Sequence, residues 1–531
     1  MKQKLSKWWA PISVLLLGAI LRLFCLGSVP AGLQQDEAFP IWNSLSLLRD
    51  GIDSSGSFLP VYLADWGDGH SALYSWLMMP LLLLNGLKWN AFIGRLPQAL
   101  IGILTIWVVY LLFRKMFGDV PALWCSFLLT ICPWHVTMCR WGLDANLAPG
   151  FLVFGLYFFV LGLEKPKYFL LSALTYGLSL YCYAAIWPIV PVMILCQVVY
   201  CALHGKISLN RYTASSTALL FLLALPLMLF VVINSLQLPP IRLPFMTIPI
   251  MSGYRGNDLT LSLPEMWSNF KRVGRLLVLQ DIGTPYDLVM PYGLFYDIGR
   301  VFIVIGFVCL MLKLVKKSLQ REFCFESLIF FQLVGAGING ILIAITINRI
   351  NSLYIPLVFC EAYGVWSFLK WLSHFKKRAA AAAGAVTAAL YLICLAAFQR
   401  EYYTDYKELV NAYFAQGVQE CAAYAVEKSS GLEAHPDIIF ERGAQWPRFL
   451  LFCDITAPEY LEYVTYKDNY AEPAAFRKGD ITFYNGIDYD NLREDAIYII
   501  YFPDVPVFEE NYTLRQFYDW YVAVPKKWQE N

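Results

Sequence analysis

Charged residues are scarce in this chain of 531 residues, of which only 15% are Asp, Glu, Lys or Arg. Soluble domains carry about 25% charged residues. With 58% hydrophobic residues and a mean hydropathy of +0.50, the composition predicts an integral membrane protein. The net charge of +1 excludes electrostatic capture of nucleic acid as a function.

Motifs for metals, nucleotides and repeats are also lacking. The 13 cysteines are scattered singly and the five histidines are dispersed, which predicts neither a zinc site nor a disulfide framework. No Walker A sequence or dinucleotide-binding glycine fingerprint is present, so no nucleotide pocket is expected. The sequence has no evident internal repeat, which argues against the repeat-built transporter folds.

Long apolar runs dominate the first three quarters of the chain. A transmembrane helix needs about 20 apolar residues, and we predict eleven such helices. The run 71–86 is shorter, and we predict that it is a re-entrant segment on the outer side. The predicted spans are 10–27, 93–113, 119–137, 147–163, 168–185, 187–203, 213–235, 300–317, 325–347, 351–371 and 379–398.

Lysines and arginines alternate with these spans in a way that predicts the topology. Cytoplasmic loops are rich in Lys and Arg. This predicts that the N-terminus lies on the cytoplasmic side of the plasma membrane and the C-terminus on the outer side. The predicted outer regions are 28–70, 138–146, 236–299, a turn near 348–350 and the chain after about 399. The first apolar run is expected to stay in place as a signal anchor.

Residues 399–531 differ in character from residues 1–398. They are charged and contain three short β-rich runs at 437–441, 480–484 and 496–501, whereas 404–427 has helical spacing. We therefore predict an all-α polytopic membrane domain over 1–398, followed by a small α/β extracytoplasmic domain over 399–531.

Asp36 and Glu37 stand side by side in the first outer region. Carboxylates at the end of a membrane helix are costly to place, and a site at the membrane surface would use both. The alternative is that they cap a helix over 38–49, because acidic groups favour the positive end of a helix. The functional interpretation is a general base with a supporting carboxylate.

Further polar residues fall in the same predicted outer regions. Asp144 follows Arg140 in the second outer loop, where it could also cap the helix 147–163, and Arg140 could snorkel or pair with an anion. His70 precedes the 71–86 run and could donate to a phosphate, although a plain loop is an alternative. Arg349 lies at an outer helix junction with almost no loop around it, and Arg255 is one of several loop cations.

Several short motifs in order resemble those of a known superfamily. Asp36-Glu37-Ala38 is followed by a segment from His70 to Trp76, by Tyr110-x-x-Phe-Arg114-x-x-Phe117-Gly118, and by Arg140-x-x-x-Asp144-x-Asn146-Leu147. Together they resemble the C-type (GT-C) membrane glycosyltransferases, near the bacterial protein O-mannosyltransferases and lipid A aminoarabinose transferases. Asn348-Arg-Ile-Asn-Ser352 looks most like Gram-positive members. One departure is His70, which stands where relatives often have a lysine that contacts the lipid phosphate.

The resemblance implies the GT-C fold and a specific reaction. A sugar would move from a polyprenyl-phosphate-sugar donor to a protein, lipid or cell-wall polymer acceptor, with inversion. Asp36 would deprotonate the acceptor, while Glu37 and Asp144 would orient the acceptor or the base. The donor phosphate and substrate would be held by Arg349, His70, Arg140, Asn351 and Arg255.

Two questions stay open at this point. No metal or other cofactor is required by this chemistry, although Asp36, Glu37 and Asp144 could bind a divalent ion. The rival functions are a polytopic transporter or lipid-linked sugar flippase, and a sensor or assembly protein whose outer domain binds a ligand.

Overall fold

The chain is described by a computed structural model over residues 8–64, 69–253, 259–280, 283–466 and 472–528. It divides into two compact units. The helical unit consists of Met1–Phe24, Leu96–Met228 and Arg255–Tyr406, and the mixed unit consists of Cys25–Arg95, Leu229–Tyr254 and Lys407–Asn531.

Twenty α-helices occur in the described ranges. The first ten are α1 (Trp9–Leu23), α2 (Gln35–Arg49), α3 (Leu73–Leu84), α4 (Ala91–Phe117), α5 (Asp119–Ile131), α6 (Pro133–Met138), α7 (Ala148–Gly162), α8 (Phe169–Ser179), α9 (Ile189–Leu203) and α10 (Arg211–Leu236). The others are α11 (Leu263–Leu279), α12 (Asp297–Leu319), α13 (Glu326–Leu342), α14 (Tyr354–Phe375), α15 (Lys377–Tyr403), α16 (Asp405–Asn411), α17 (Val418–Ser430), α18 (Trp446–Phe452), α19 (Ala457–Tyr463) and α20 (Val505–Phe508).

Every predicted span coincides with one or more of these helices. Within the described ranges, seven helices are long and apolar enough to cross a membrane, and four shorter apolar helices accompany them. The predicted multi-pass, mainly helical membrane architecture is therefore confirmed. The run at 71–86 forms the 12-residue helix α3, which is shorter than the roughly 20 residues that a crossing needs.

Two spans are shorter than predicted. The helix expected over 119–137 is interrupted between α5 and α6, because Pro133 has no backbone N–H to continue the hydrogen-bond ladder. The span expected over 168–185 is helical only in α8 and continues as turns. The indole Nε1 of Trp187 donates to the carbonyl oxygen of Leu180 at 2.8 Å, which satisfies one carbonyl beyond the helix end.

The helical unit is held together by close helix contacts at small residues. Helices α12 and α14 cross where Gly306 faces Gly364. A Cβ atom added to Gly306 would lie 1.7 Å from the carbonyl oxygen of Cys360. Only glycine permits this approach, as is common for helix pairs in membranes.

The mixed unit contains eleven strands in the described ranges. They are β1 (Tyr62–Leu63), β2 (His70–Ser71), β3 (Ile241–Leu243), β4 (Met246–Ile248), β5 (Asp437–Phe440), β6 (Thr465–Tyr466), β7 (Pro473–Lys478), β8 (Ile481–Asn485), β9 (Ala496–Tyr501), β10 (Tyr512–Phe517) and β11 (Trp520–Pro525). β1 pairs with β2, β3 pairs with β4, and the other seven form one sheet in the order β10-β11-β9-β5-β8-β7-β6.

The seven-stranded sheet is mixed, with β5 parallel to both β8 and β9 and antiparallel pairs at both sides. Its core is aromatic: the rings of Phe440 and Phe449 stack with centroids 4.0 Å apart. The three predicted strand runs correspond to β5, β8 and β9, so the small α/β domain near the C-terminus is confirmed. The helix expected over 404–427 is split into α16 and α17.

Candidate functional site

The acidic pair, Asp36 and Glu37, lies in the first turn of α2. Gln34 is the N-cap residue: its side-chain Oε1 accepts from the backbone N–H of Asp36 at 2.5 Å. In return, the backbone N–H of Gln34 donates to Oε2 of Glu37 at 3.1 Å. This reciprocal arrangement is a capping box, so the capping alternative considered for these carboxylates accounts for part of their role.

Glu37 is locked by Arg95. The guanidinium Nε donates to Oε1 of Glu37 at 2.8 Å and Nη2 donates to Oε2 at 3.0 Å, and both side chains are fully buried. Arg95 also donates to the carbonyl oxygens of Leu26, Pro30 and Gly32. A bidentate buried pair of this kind fixes the loop before α2 and leaves Glu37 as a positioning group.

Asp36 differs from its neighbour because its side chain is only half-buried. The amide Nε2 of Gln34 donates to its Oδ2 at 3.3 Å. One member of the acidic pair is therefore held inside the protein and the other is partly accessible. This asymmetry suits a base with a fixed neighbour.

Helix α2 packs against the C-terminal part of the same unit. The indole Nε1 of Trp42 donates to the carbonyl oxygen of Ile455 at 2.7 Å. The ring of Phe39 contacts that of Trp446 edge-to-face at 6.0 Å, and Arg49 forms an ion pair with Asp454 at 2.6 Å. The C-terminal residues thus support the helix that carries the acidic pair.

Arg448 is a second buried arginine beside the acidic pair. It is 2% exposed, and its guanidinium donates to the carbonyl oxygens of Leu33, Ala444 and Tyr413. Burial lowers the pKa of Arg448 to about 10, while the charges of the acidic pair oppose this shift. Arg448 is therefore a cation at neutral pH, buried beside the acidic pair.

His70 lies in the same unit on β2, where it pairs with Leu63 of β1. Its side chain is buried, and its ring lies 5.7 Å from the ring of Phe39, which is on α2 two residues after Glu37. The structure thus brings His70 close to the start of α2.

In the helical unit, Asp144 begins a short 3₁₀ turn that leads into α7. It is 4% exposed, and its Oδ1 accepts from the backbone N–H of Ala145 at 2.6 Å. The amide Nδ2 of Asn351 donates to the carbonyl oxygen of Ala145 at 2.7 Å, and Nε2 of Gln98 donates to that of Asn146 at 2.9 Å. Asp144 and Asn351, which are far apart in sequence, are therefore neighbours.

Arg140 is fully buried and holds the end of α1. Its Nη1 donates to the carbonyl oxygens of Leu21, Arg22 and Phe24 at 3.1, 3.3 and 2.8 Å. Its Nε donates to the hydroxyl of Tyr402 at 3.0 Å. These contacts give Arg140 a structural role, and its contact with a donor phosphate stays a prediction.

Arg349 is half-exposed in the irregular segment between α13 and α14. Its Nη1 donates to the carbonyl oxygen of Ala344 at 3.4 Å, and its own carbonyl oxygen accepts from Nδ2 of Asn339 at 2.9 Å. The backbone is thus fixed while the guanidinium keeps access to solvent. Arg255, the loop cation predicted to bind the donor, lies outside the described residues.

Asp287 is an acidic residue that was not among the predicted site residues. Its Oδ2 accepts from Thr284, and its Oδ1 accepts from Nδ2 of Asn348, the neighbour of Arg349, at 3.3 Å. Burial raises the pKa of Asp287. It lies in the predicted outer region 236–299, where one acidic residue among many gave no sequence signal.

The predicted site residues are divided between the two units. Asp36, Glu37 and His70 belong to the mixed unit, whereas Arg140, Asp144, Arg349 and Asn351 belong to the helical unit. Their predicted convergence on one cavity stays a prediction. Across the described ranges, no group of three or more His, Cys, Asp or Glu side chains is arranged to hold a metal ion, and metal dependence also stays a prediction.

Comparison with known proteins identifies the fold. Residues 69–233 match the family described as dolichyl-phosphate-mannose-protein mannosyltransferase. The structure of ArnT from Cupriavidus metallidurans aligns with a TM-score of 0.58 at 13% identity, covering 97% of this chain and 96% of that chain. The chain has the fold of the GT-C membrane glycosyltransferases. No curated protein sequence matches it significantly.

Two further GT-C structures are similar and contain a lipid. ArnT from Cupriavidus metallidurans bound to undecaprenyl phosphate aligns with a TM-score of 0.53 at 12% identity, covering 96% and 97% of the two chains. The archaeal oligosaccharyltransferase AglB from Archaeoglobus fulgidus, in complex with an inhibitory peptide and a dolichol-phosphate, aligns with a TM-score of 0.51 at 12% identity. This chain is 85% covered and spans 64% of AglB.

These findings confirm the predicted resemblance to the GT-C superfamily and the predicted fold class. None of them favours the transporter or flippase alternative. The family match begins at Gly69, so the acidic pair lies before the matched region.

Proposed function

We propose that this chain is a membrane glycosyltransferase that moves a sugar from a polyprenyl-phosphate-sugar donor to an extracytoplasmic acceptor. Support comes from the family match, whose description names a dolichyl-phosphate-mannose donor, and from the GT-C fold. The similar structures with undecaprenyl phosphate and dolichol-phosphate support a lipid-linked donor. The acceptor is a protein, a lipid or a cell-wall polymer.

The observation that carries the assignment of the base is the asymmetry of the acidic pair. Glu37 is bound on both oxygens by Arg95, whereas Asp36 is half-buried and forms no ion pair within the described ranges. Asp36 sits in the first turn of α2. A partly accessible carboxylate there can accept a proton from an acceptor.

The reaction is a single displacement. An acceptor hydroxyl or amine attacks the anomeric carbon while Asp36 takes its proton, and the bond between that carbon and the phosphate oxygen breaks. Polyprenyl phosphate leaves with the bonding electron pair, and the configuration at the anomeric carbon inverts. Positioned general bases contribute about 10²- to 10⁴-fold to such reactions.

Arg349 is the cation that we assign to the leaving phosphate. Its side chain is partly exposed, whereas Arg95 and Arg448 are buried. Neutralising the charge that develops on the phosphate stabilises the transition state. Asn351 and Asp144 then belong to the same substrate-binding region of the helical unit.

The membrane orientation is part of the proposal. The distribution of Lys and Arg between the spans favours a plasma-membrane protein with its N-terminus in the cytoplasm and the C-terminal residues outside. In this orientation the acidic pair and Arg349 both belong to outer segments, as a donor presented on the outer leaflet requires.

The donor class is tested with purified full-length protein in lipid nanodiscs. It is incubated with a panel of polyprenyl-phosphate sugars and, in parallel, with the matching nucleotide sugars. Polyprenyl phosphate and unused donor are then measured by mass spectrometry. We expect that one or a few lipid donors are consumed and that polyprenyl phosphate accumulates in equal amount to the sugar transferred. Consumption of a nucleotide sugar instead would refute the donor class.

The role of Arg349 is tested by Arg349→Gln. Loss of a charged hydrogen bond is worth about 1.5–3 kcal/mol, so kcat/KM for the lipid donor should fall about 10- to 100-fold, and kcat should fall with it because the contact is to charge that develops in the transition state. Lys271→Gln, which removes another exposed cation of the outer region 236–299, serves as the matched control. Equal effects of the two substitutions would mean that Arg349 acts only through general surface charge.

A further inference from the structure

A large cavity opens at one end of the helical unit, and none of the residues assigned to sugar transfer lines it. It measures about 1140 Å³ and is bordered by the end of α9, the end of α12 and the segment leading into α13. The sequence assigns no role to this end of the helices, apart from its positive charge.

One wall of the cavity is apolar and exposed. Leu203 and Leu319 are 80% and 82% exposed, and both line the cavity. They are the last residues of two helices that are long and apolar enough to cross a membrane. Further apolar lining is supplied by Met311, Leu314, Val315 and Phe330.

The rim of the cavity is cationic. Lys206 and Arg321 are exposed lining residues, and neither has an acidic partner within the described part of the chain. The acidic lining residue Glu322 is already neutralised by an ion pair with Lys317. Among the described residues, the rim therefore carries two cations that form no ion pair with a carboxylate.

The rim is also held in a fixed geometry. The backbone N–H of Cys324 donates to the hydroxyl of Tyr200 at 2.9 Å, which ties the segment before α13 to α9. The ring of Phe323 lies 5.6 Å from that of Tyr200, and the ammonium of Lys206 lies 5.4 Å from the ring of Phe323. Lys206 is thus packed against an aromatic ring whose position is fixed.

We propose that this cavity binds an anionic phospholipid, with its phosphate at Lys206 and Arg321 and an acyl chain along the apolar wall. Basic pockets between transmembrane helices at the cytoplasmic side are suited to anionic headgroups. An exposed apolar wall next to unpaired cations matches an amphiphile better than a soluble anion, because a soluble anion would leave the apolar wall in water. The proposal does not depend on the sugar-transfer reaction.

The test uses purified full-length protein in neutral detergent, with lipid binding followed by native mass spectrometry. Phosphatidylglycerol and phosphatidylcholine are added separately to the wild type and to the double variant Lys206→Gln/Arg321→Gln. Each cation near a membrane surface is worth about 1 kcal/mol towards an anionic lipid, so the double variant should bind phosphatidylglycerol at least tenfold more weakly. Binding of phosphatidylcholine should be weak in both proteins and unchanged.

The matched control is Lys313→Gln/Lys316→Gln, which removes two exposed cations of α12 that do not line the cavity. This control should bind phosphatidylglycerol as the wild type does, and an equal loss in both double variants would overturn the proposal. Inorganic phosphate forms the second arm: if it displaces phosphatidylglycerol at similar concentrations, the site binds soluble anions and the lipid assignment fails. Unfolding temperatures without added lipid should agree among the three proteins, since all four side chains are exposed.

Discussion

Replacing Asp36 with Asn should lower kcat for sugar transfer by about 10²- to 10⁴-fold, which is the contribution of a positioned general base. The amide keeps the shape of the side chain and can still accept the hydrogen bond from Gln34, but it cannot take a proton from the acceptor. KM for the donor should change little, because Asp36 is assigned to the acceptor. The measurement is initial rate of product formation at saturating donor.

The control for this substitution is Asp454→Asn. Asp454 is an exposed carboxylate that pairs with Arg49 at the other end of α2, and exposed ion pairs are worth about 0–1 kcal/mol. Asp454→Asn should therefore retain wild-type activity. A rate for Asp36→Asn within a few-fold of the wild type would reject Asp36 as the base.

The second large effect concerns stability and should follow removal of Arg95. Arg95→Met leaves the carboxylate of Glu37 buried without its cation, and breaking such a buried pair costs about 3–5 kcal/mol. The unfolding temperature in detergent should therefore fall by many degrees. The measurement is thermal unfolding of the purified protein followed by tryptophan fluorescence.

The matched variant is the double substitution Arg95→Met/Glu37→Leu. It removes both charges, and replacing a buried ion pair by apolar groups is often nearly neutral. The double variant should thus recover part of the unfolding temperature that the single variant loses, since the carbonyl oxygens of Leu26, Pro30 and Gly32 still lack their guanidinium donor. It should also retain activity above that of Asp36→Asn, because Arg95 and Glu37 position α2, whereas Asp36 is the group that takes the proton. A double variant as stable as the wild type but as inactive as Asp36→Asn would make Glu37 a catalytic residue instead.

The membrane helices and the strands of the C-terminal region could be predicted because their signals are local. Runs of about 20 apolar residues and short β-rich runs are visible in any window of the sequence. The errors concern the ends of two predicted spans, where the helix stops inside an apolar run. Pro133 divides a predicted span, and the span at 168–185 ends early at Ser179.

The partners of the acidic pair could not be predicted because they depend on contacts between distant parts of the chain. Arg95 stands in an apolar run, where an arginine that snorkels looks the same as one that binds a carboxylate. Arg448 follows the acidic pair by more than 400 positions. Its hydrogen-bond partners are backbone carbonyl oxygens, which every residue has, so the sequence does not reveal them. The adjacency of Asn351 to Asp144 is of the same kind.

The C-terminal region is a further case. Its strands were predicted, but its residues contact α2 through Trp42 and the loop before α2 through Leu33. The residues that position the candidate base are therefore spread over two segments that hydropathy separates. Sequence proximity to Asp36 therefore does not identify the residues that hold it in place.

The most direct measurement is the anomeric configuration of the product, determined by NMR from a donor of defined configuration that the purified protein consumes. We expect complete inversion, because Asp36 removes a proton and one displacement occurs at the anomeric carbon. Retention of configuration would contradict it, because a second displacement through a covalent intermediate would then make a carboxylate the nucleophile rather than the base.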